Sequence, residues 1–183
     1  MEDRSHSAPA QLFHAISIME FRDDLKLNPF DPREQADLAS RLEDFPLFAG
    51  LEARELETLA ASMLTASAAR GSIVFQEGDP GHFLALVLDG KVEISKETDH
   101  RNSRQLGLAT PGKTVGEMAL IDGEHRSATC RCINDSQLAL LTAASFQGLV
   151  QKTPMLGFKI MARLGKMLSQ RLRLTTGQLV DHL

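Results

Sequence analysis

From Thr65 to Thr142 the sequence alternates apolar and polar residues with a period of two, and turn residues interrupt it at short intervals. This period predicts strands, because successive side chains of a strand point to opposite faces. The segments that read as strands are residues 72–76, 83–88, 91–96, 104–109, 128–133 and 137–142. The second and third of them flank Asp89-Gly90, a dipeptide typical of two-residue hairpin turns.

About eight short strands with Gly-rich corners predict a mainly β fold, a jelly-roll or double-stranded β-helix barrel. Helices are expected to flank the barrel, because the period changes on either side of it. Asp31 can cap a helix that has Pro32 at its first position. Leu56, Leu59 and Met63 would face inward from the next one. The predicted helices are residues 11–27, 32–42, a helix after the turn at 45–50, 143–148 and 155–182.

The chain is therefore predicted to have three parts. Residues 1–44 form a helical extension, in which the polar residues 1–10 are expected to be disordered. Residues 45–150 form the β-roll, and residues 151–183 form a long C-terminal helix. In that helix, 3.5-residue heptad spacing predicts a dimer seam, with Gly165 filling one of its positions and the others taken by Met161, Leu168, Leu172, Thr175 and Leu179.

One segment, residues 116–129, interrupts the β pattern with the sequence GEMALIDGEHRSAT. Gly116 and Glu117 open a short helical turn, and Arg126 follows nine residues after the carboxylate. Glycine allows a close backbone approach, and the free N–H groups of a helix N-terminus favour an anion. The forked guanidinium of an arginine can pair with two phosphate oxygens. A carboxylate can accept a hydrogen bond from a ribose hydroxyl. The segment therefore predicts a site for a phosphate joined to a ribose.

The segment resembles the phosphate-binding cassette of the cyclic nucleotide-binding domain family. These domains occur in the bacterial catabolite activator protein, in protein kinase A regulatory subunits and in cyclic nucleotide-gated channels. The family pattern is Gly-Glu-(Leu/Met)-Ala-Leu, four or five variable residues, and Arg-(Ser/Thr/Ala)-Ala. Eight positions match it: Gly116, Glu117, Met118, Ala119, Leu120, Arg126, Ser127 and Ala128. The resemblance covers about residues 45–183.

The resemblance implies roles for the matching residues. Arg126 would pair with the cyclic phosphate, and the Ser127 hydroxyl would donate to it. The backbone N–H groups of about Met118 and Ala119 would add further donors. Glu117, next to Gly116, would hold the ribose 2′-hydroxyl.

The base would be contacted by the C-terminal helix, where the catabolite activator protein has a Thr-Ser pair facing the adenine. Thr175 and Thr176 fall at the matching place. A hydroxyl that accepts from the exocyclic amine of adenine favours cAMP over cGMP, although a hydroxyl can also donate to a guanine carbonyl.

Ligand binding would shift the long helix if the ligand contacts it in one arrangement only. Leu120, Phe146 and Leu149 are the candidates for an apolar hinge that carries this shift. We expect a regulatory protein that signals through an unknown effector protein and forms a homodimer through the C-terminal helix. No catalytic activity, cofactor or metal site is expected, because no nucleophile–base pair or close cluster of His and Glu ligands is visible.

Charge and composition bear on partners and compartment. Residues 151–183 hold six Lys or Arg against one acid, which could attract nucleic acid, whereas residues 1–60 hold 13 acids against six basic residues. The sequence pI of about 5.9 argues against direct DNA binding, and no helix-turn-helix is expected after Leu183. Two cysteines, no secretory signal and no apolar run of membrane-spanning length predict a cytoplasmic protein.

Three alternatives remain open from the sequence. The fold could be a ligand-free interaction module, since folds outlive their functions. It could be a receptor for a cyclic dinucleotide. It could also be a cupin-type enzyme, although His82, His100 and His125 are scattered singly in turn-like stretches.

Overall fold

The computed structural model describes residues 21–29, 31–98 and 103–180, without the side chains of 178–180. Nine strands lie within these residues: β1 Leu25–Leu27, β2 Leu64–Ala68, β3 Ile73–Phe75, β4 Phe83–Asp89, β5 Val92–Glu97, β6 Ser103–Ala109, β7 Thr114–Val115, β8 Thr129–Cys132 and β9 Ser136–Thr142. The α-helices within the same residues are α1 Pro32–Leu42, α2 Ala53–Ala60, α3 Glu117–Asp122, α4 Ala143–Lys152 and α5 Pro154–Val180. A 3₁₀ turn, Pro46–Phe48, precedes α2.

The strands form two antiparallel sheets. The first has the strand order β1-β2-β9-β4-β7, and the second has the order β3-β8-β5-β6. Mainly antiparallel strands with flanking helices and a long C-terminal helix agree with the expected fold class. The described strands form two separate sheets and no closed barrel, so the predicted jelly-roll barrel is not confirmed.

Two apolar cores lie on opposite faces of the first sheet. Strand β4 shows why, since its sequence FLALVLD is buried along its first six residues. Leu84, Leu86 and Leu88 pack against the helices, whereas the alternate residues Phe83 and Ala85 pack between the two sheets. A strand covered on both faces has a nearly continuous apolar sequence rather than an alternating one. The helices therefore shield the side of the sheet that faces away from the second sheet.

The predicted hairpin at Asp89-Gly90 is wrong. Strand β4 lies in the first sheet between β9 and β7, and β5 lies in the second sheet between β8 and β6. Gly90 has a φ of +89°, and a Cβ there would approach the Asp135 carbonyl oxygen to 2.6 Å. The dipeptide therefore marks a left-handed turn that only glycine fits, but the chain uses the turn to cross between sheets.

The predicted helix over residues 11–27 is wrong at its C-terminal end. Leu25–Leu27 is a strand that pairs antiparallel with β2, and Leu25 is buried between the sheets. Pairing with an open sheet edge overrides a loose helical pattern, because it satisfies the backbone as well as burying the side chain. Residues 11–20 of that predicted helix, and the predicted disorder of residues 1–10, lie outside the described residues.

The other helices agree with the sequence. The Asp31 carboxylate accepts from the Arg33 N–H at 2.8 Å, and Pro32 opens α1, as predicted. Thr153 separates α4 from α5, and Pro154 is the first residue of α5. Leu56 and Leu59 are buried on α2, whereas Met63 is buried just after that helix ends. Among the described helices, none is long and apolar enough to cross a membrane.

Candidate functional site

Arg126 lies just before β8, and its main chain is held on both sides by the turn that follows β3. Its N–H donates to the Asp79 carbonyl at 2.8 Å, and its carbonyl accepts from the Gly78 N–H at 2.9 Å. Two main-chain hydrogen bonds at one residue fix the direction in which its side chain leaves the backbone. The side chain is consequently directed inward and is only 3% exposed.

The Arg126 guanidinium lies between two aromatic rings. Its Cζ is 4.0 Å from the centroid of the Phe75 ring and 4.6 Å from that of Phe83. Nη1 donates to the Gly116 carbonyl at 3.0 Å, and Nη2 donates to the Phe83 carbonyl at 2.6 Å. Cation–π contacts with the two rings and hydrogen bonds to two carbonyl acceptors hold the planar group in one orientation.

The positive charge of Arg126 has no counter-ion in the described part of the chain. None of the described carboxylates forms an ion pair with it, and its buried Nε has no hydrogen-bond partner. Burial lowers the pKa of Arg126 to about 10, so the group is charged at neutral pH. Burial also raises the pKa of the neighbouring Cys130 to about 12, so this thiol is neutral and supplies no negative charge. A buried cation of this kind favours an anionic ligand.

Gly116 joins β7 to α3 and has a φ of +77°. A Cβ at this position would collide with Arg126 Nη1 and would come within 3.0 Å of the Phe75 ring. Glycine is therefore required here both by the left-handed backbone and by the space that the guanidinium occupies. The first N–H groups of α3 have no partner within the helix, and the residues that carry them line the same cavity as Arg126.

Glu117, the first residue of α3, is buried and pairs with an arginine from the far end of the chain. Its Oε1 forms an ion pair with Nη1 of Arg171 on α5, whose side chain remains 50% exposed. Arg171 was not predicted as a site residue from the sequence, because 54 positions separate it from Glu117. No local motif signals such a pair, although an arginine one turn before the predicted Thr175 was available as a hint.

The buried cation and the buried carboxylate line one cavity of about 270 Å³. This volume is near the lower end of the range for small-molecule sites, about 300–1,000 Å³. The cavity lies between β3, the α3 segment, the start of β8 and the exposed half of α5. Its lining residues are Phe75, Ile94, Thr114, Val115, Gly116, Glu117, Met118, Ala119, Asp122, Glu124, His125, Arg126, Ser127, Ala128, Cys130 and Arg171.

Comparison with known proteins gives this arrangement a family. Residues 66–153 match the family model described as the cyclic nucleotide-binding domain. The chain is similar to a solved cyclic nucleotide-binding domain from Methylobacillus flagellatus, with a TM-score of 0.76 and 27% identity over 87% of this chain and 90% of that one. The chain contains a cyclic nucleotide-binding domain.

Curated relatives carry the same domain within longer proteins. The cyclic AMP receptor protein of Thermus thermophilus is 30% identical over 68% of this chain and 58% of its own length. A CRP-like cAMP-activated global transcriptional regulator of Mycobacterium tuberculosis is 25% identical over 74% of this chain and 58% of its own. The chain thus spans 58% of the length of these relatives. The resemblance found in the cassette is confirmed, and residues 66–153 are a cyclic nucleotide-binding regulatory domain.

The structure brings six of the predicted contact residues to the cavity of this domain: Gly116, Glu117, Met118, Ala119, Arg126 and Ser127. Ala119 is buried, whereas Met118 is 48% exposed. Ser127 is exposed at the rim, and its carbonyl accepts from Lys96 Nζ at 3.1 Å. The individual roles of these residues toward a nucleotide stay predictions.

Thr175 and Thr176 do not line the cavity of the domain. Both are exposed on α5, and their hydroxyls donate to the carbonyls of Arg171 and Leu172 at 3.0 and 2.9 Å. Thr175 nevertheless lies one helical turn beyond Arg171, which does line the cavity. Contact of the two threonines with a base stays a prediction, and it requires the exposed half of α5 to approach the cavity.

The three predicted hinge residues lie together behind the cassette. Phe146 and Leu149 are buried in the core formed by the helices, and Leu120 packs against the same core. Leu156 and Ile160 of α5 belong to this core as well. A displacement of α3 would therefore press on residues that also support α5, so the placement is compatible with the predicted hinge.

Proposed function

We propose that the cavity binds a cyclic mononucleotide, with cAMP favoured over cGMP, and that the bound nucleotide regulates an effector protein through α5. The observation that carries this proposal is Arg126, a buried cation without a counter-ion at the wall of the cavity. A cyclic phosphate has one negative charge and exposed oxygens. It therefore offers both the charge and the acceptor that Arg126 lacks.

The phosphate would be held from three directions. Arg126 has five N–H donors, and the described hydrogen bonds use one on Nη1 and one on Nη2. The Nε–H and the remaining donors can bind phosphate oxygens. The Ser127 hydroxyl at the rim and the first-turn N–H groups of Met118 and Ala119 add to them. Each charge-assisted hydrogen bond contributes about 1.5–3 kcal/mol net.

The ribose would be held by Glu117. This carboxylate is buried at the cavity wall, and its ion pair with Arg171 uses Oε1. A carboxylate has two acceptor oxygens, so a 2′-hydroxyl can bind beside Arg171 without displacing it. The nucleotide and α5 would then share one carboxylate, which provides a direct physical link between ligand and helix.

The preference for cAMP depends on the base lying against α5. Arg171 already reaches the cavity, and Thr175 follows one turn later on the same helix. A shift of this half of the helix toward the nucleotide would bring the threonine hydroxyls near the base, where they can accept from the amine of adenine. Leu120, Phe146 and Leu149 are the proposed hinge for this shift.

The output is proposed to pass through the outer face of α5. Leu172, at a predicted heptad position, is 68% exposed, and Met161, at another, is 36% exposed. An exposed apolar stripe at heptad spacing fits a second copy of the same helix. Nucleotide binding would then change the position of α5 in the homodimer, and with it the surface that contacts the effector protein.

Calorimetry with cAMP, cGMP, 2′-deoxy-cAMP and a cyclic dinucleotide tests the proposal. We expect micromolar affinity for cAMP, about −8 kcal/mol, and weaker binding of cGMP and of the deoxy analogue. Arg126→Ala should abolish binding. Arg131→Ala is the matched control, because Arg131 is exposed on β8, the strand that follows Arg126, and does not line the cavity.

Three results would contradict the proposal. Wild-type affinity in Arg126→Ala would show that Arg126 does not bind the phosphate. Tighter binding of the cyclic dinucleotide would identify a different ligand class. Absence of heat with all four compounds, in a folded protein, would identify a ligand-free interaction module.

A further inference from the structure

Residues 21–28 precede the matched region, residues 66–153. They nevertheless lie against the part of that region that holds Arg126. We call this segment the N-terminal strap. Leu25–Leu27 of the strap is the edge strand β1, and the Asn28 N–H donates to the Thr65 carbonyl at 2.9 Å. At the other end, the Leu25 N–H closes a turn onto the Arg22 carbonyl at 3.0 Å. Residues 25–28 of the strap are therefore held by main-chain hydrogen bonds to β2 and Thr65. Phe21 and Arg22, at its other end, contact the domain through their side chains.

An aromatic chain runs from the strap to Arg126. The Phe21 and Phe83 ring centroids are 5.0 Å apart, and the Phe83 and Phe75 centroids are 6.0 Å apart. The Arg126 guanidinium lies within cation–π distance of both inner rings, and Nη2 donates to the Phe83 main-chain carbonyl. Phe21 of the strap thus packs directly against the Phe83 ring. A shift of the Phe83 ring would alter its own contact with the guanidinium and its edge contact with Phe75, the other ring beside the guanidinium.

A polar chain runs in parallel to the same residue. Arg22 Nη1 pairs with Asp79 Oδ2 at 3.1 Å, and the same oxygen accepts from the Gln76 N–H at 2.9 Å. The Asp79 carbonyl in turn accepts from the Arg126 N–H at 2.8 Å. Asp24 adds a further anchor by accepting from the Ile73 N–H at 3.0 Å. The strap therefore braces both the side chain and the main chain of Arg126.

We propose that the strap is a positioning element for the phosphate-binding arginine, with Phe21 acting through Phe83 and Arg22 acting through Asp79. This inference rests on the proposed function, since it assigns the strap a part in nucleotide affinity. Two indirect contacts converge on one buried cation, whereas an edge strand that only stabilised the sheet would need neither of them. Release of the strap therefore lowers affinity for the cyclic phosphate and leaves the ribose contact of Glu117 in place.

The test compares Phe21→Ala with Leu27→Ala in the full chain. Both side chains are partly buried against the core between the sheets, but Leu27 lies at the far end of the strap. We expect Phe21→Ala to weaken cAMP binding about fivefold, which corresponds to about 1 kcal/mol. Leu27→Ala should change affinity less than about twofold at a comparable loss of Tm. Phe21→Tyr, which keeps the ring, should restore the affinity.

The polar chain has its own matched pair, Arg22→Ala and Lys26→Ala. Both residues are exposed and basic, but only Arg22 contacts the turn that holds Arg126. We expect about a twofold loss of affinity in Arg22→Ala, since exposed ion pairs contribute little, and none in Lys26→Ala. Equal affinities across Phe21→Ala, Leu27→Ala and the wild type would overturn the proposal.

A second measurement keeps the strap testable apart from nucleotide binding. The Nε–H of Arg126 gives a guanidinium signal in a ¹H–¹⁵N NMR spectrum, and Arg126→Lys identifies this signal by removing it. Phe21→Ala should shift this signal and speed its exchange with solvent in the nucleotide-free protein, and Leu27→Ala should not. An unchanged signal in Phe21→Ala would overturn the proposed positioning role of the strap, whatever the binding measurement shows. A wild type that binds no cyclic nucleotide overturns the proposed function instead.

Discussion

The two halves of α5 belong to one uninterrupted helix and have opposite surroundings. In the first half, Leu156, Ile160 and Leu164 are buried against the other helices, and Lys159 pairs with Glu55 on α2 at 2.7 Å. In the second half, every residue from Ser169 to Gly177 is exposed. The described contact that ties this second half to the domain is the ion pair of Arg171 with Glu117.

The difference shows how one helix can have a fixed first half and a more mobile second half. Buried apolar area fixes the first half, whereas one ion pair between a buried and a half-exposed group restrains the second. Regions with few buried contacts open at low free-energy cost, and functional motion is drawn from them. The cavity therefore adjoins the half of the helix that is free to respond.

The largest expected effect tests the buried half. Ile160→Ala should lower the free energy of unfolding by about 2–5 kcal/mol, because it leaves a cavity in the helical core. Leu172→Ala, its counterpart in the exposed half, should change it by less than about 0.5 kcal/mol in dilute protein. Urea denaturation at several protein concentrations measures both. A large loss in Leu172→Ala that grows with concentration would indicate that the exposed half is covered in a homodimer.

A smaller effect tests the ion pair between Arg171 and Glu117, which ties the second half of α5 to the domain among the described residues. Arg171→Ala should speed hydrogen exchange over residues 168–177 about fivefold at most, because a half-exposed ion pair contributes up to about 1 kcal/mol. Exchange over residues 156–164 should stay unchanged. Arg173→Ala, which removes an exposed arginine from the same turn, is the control. Equal exchange in both variants would mean that the Glu117 pair does not hold the helix.

The smallest effect tests whether the exposed half contacts the base. Thr175→Ala should weaken cAMP binding about threefold and cGMP binding less, since one neutral hydrogen bond contributes about 0.5–1.5 kcal/mol. Thr175→Ser keeps the hydroxyl and should bind as the wild type does. Calorimetry with both nucleotides gives the ratio. An unchanged ratio in Thr175→Ala would remove this residue from base recognition.

The sequence predicted those parts of the site that depend on local chemistry. Gly116, Glu117 and Arg126 lie within eleven positions of one another, and the constraints on them, a positive φ, a helix start and a fork-shaped cation, belong to residue types. The cap at Asp31 and the position of Pro32 at the start of α1 were predictable for the same reason. The family match over residues 66–153 agrees with that reading of the cassette.

Features that depend on distant partners could not be read in this way. Asp89-Gly90 specified a turn but not which strands pair on either side of it. Leu25–Leu27 became a strand because the edge of β2 was available. Arg171 was unremarkable at its own position and gained its role only through Glu117, which the helix packing brings near. Pairing partners are a property of the whole fold, so a local pattern does not contain them.

The neutral thiol of Cys130 has a chemical consequence for the cavity. The thiolate is the species that reacts with peroxide and with electrophiles, and burial keeps the pKa of this group at about 12. The sulfur beside Arg126 therefore stays in the less reactive thiol form at neutral pH. Cys130 is accordingly expected to react slowly with peroxide, so the cavity wall stays unmodified under conditions that oxidise exposed thiolates.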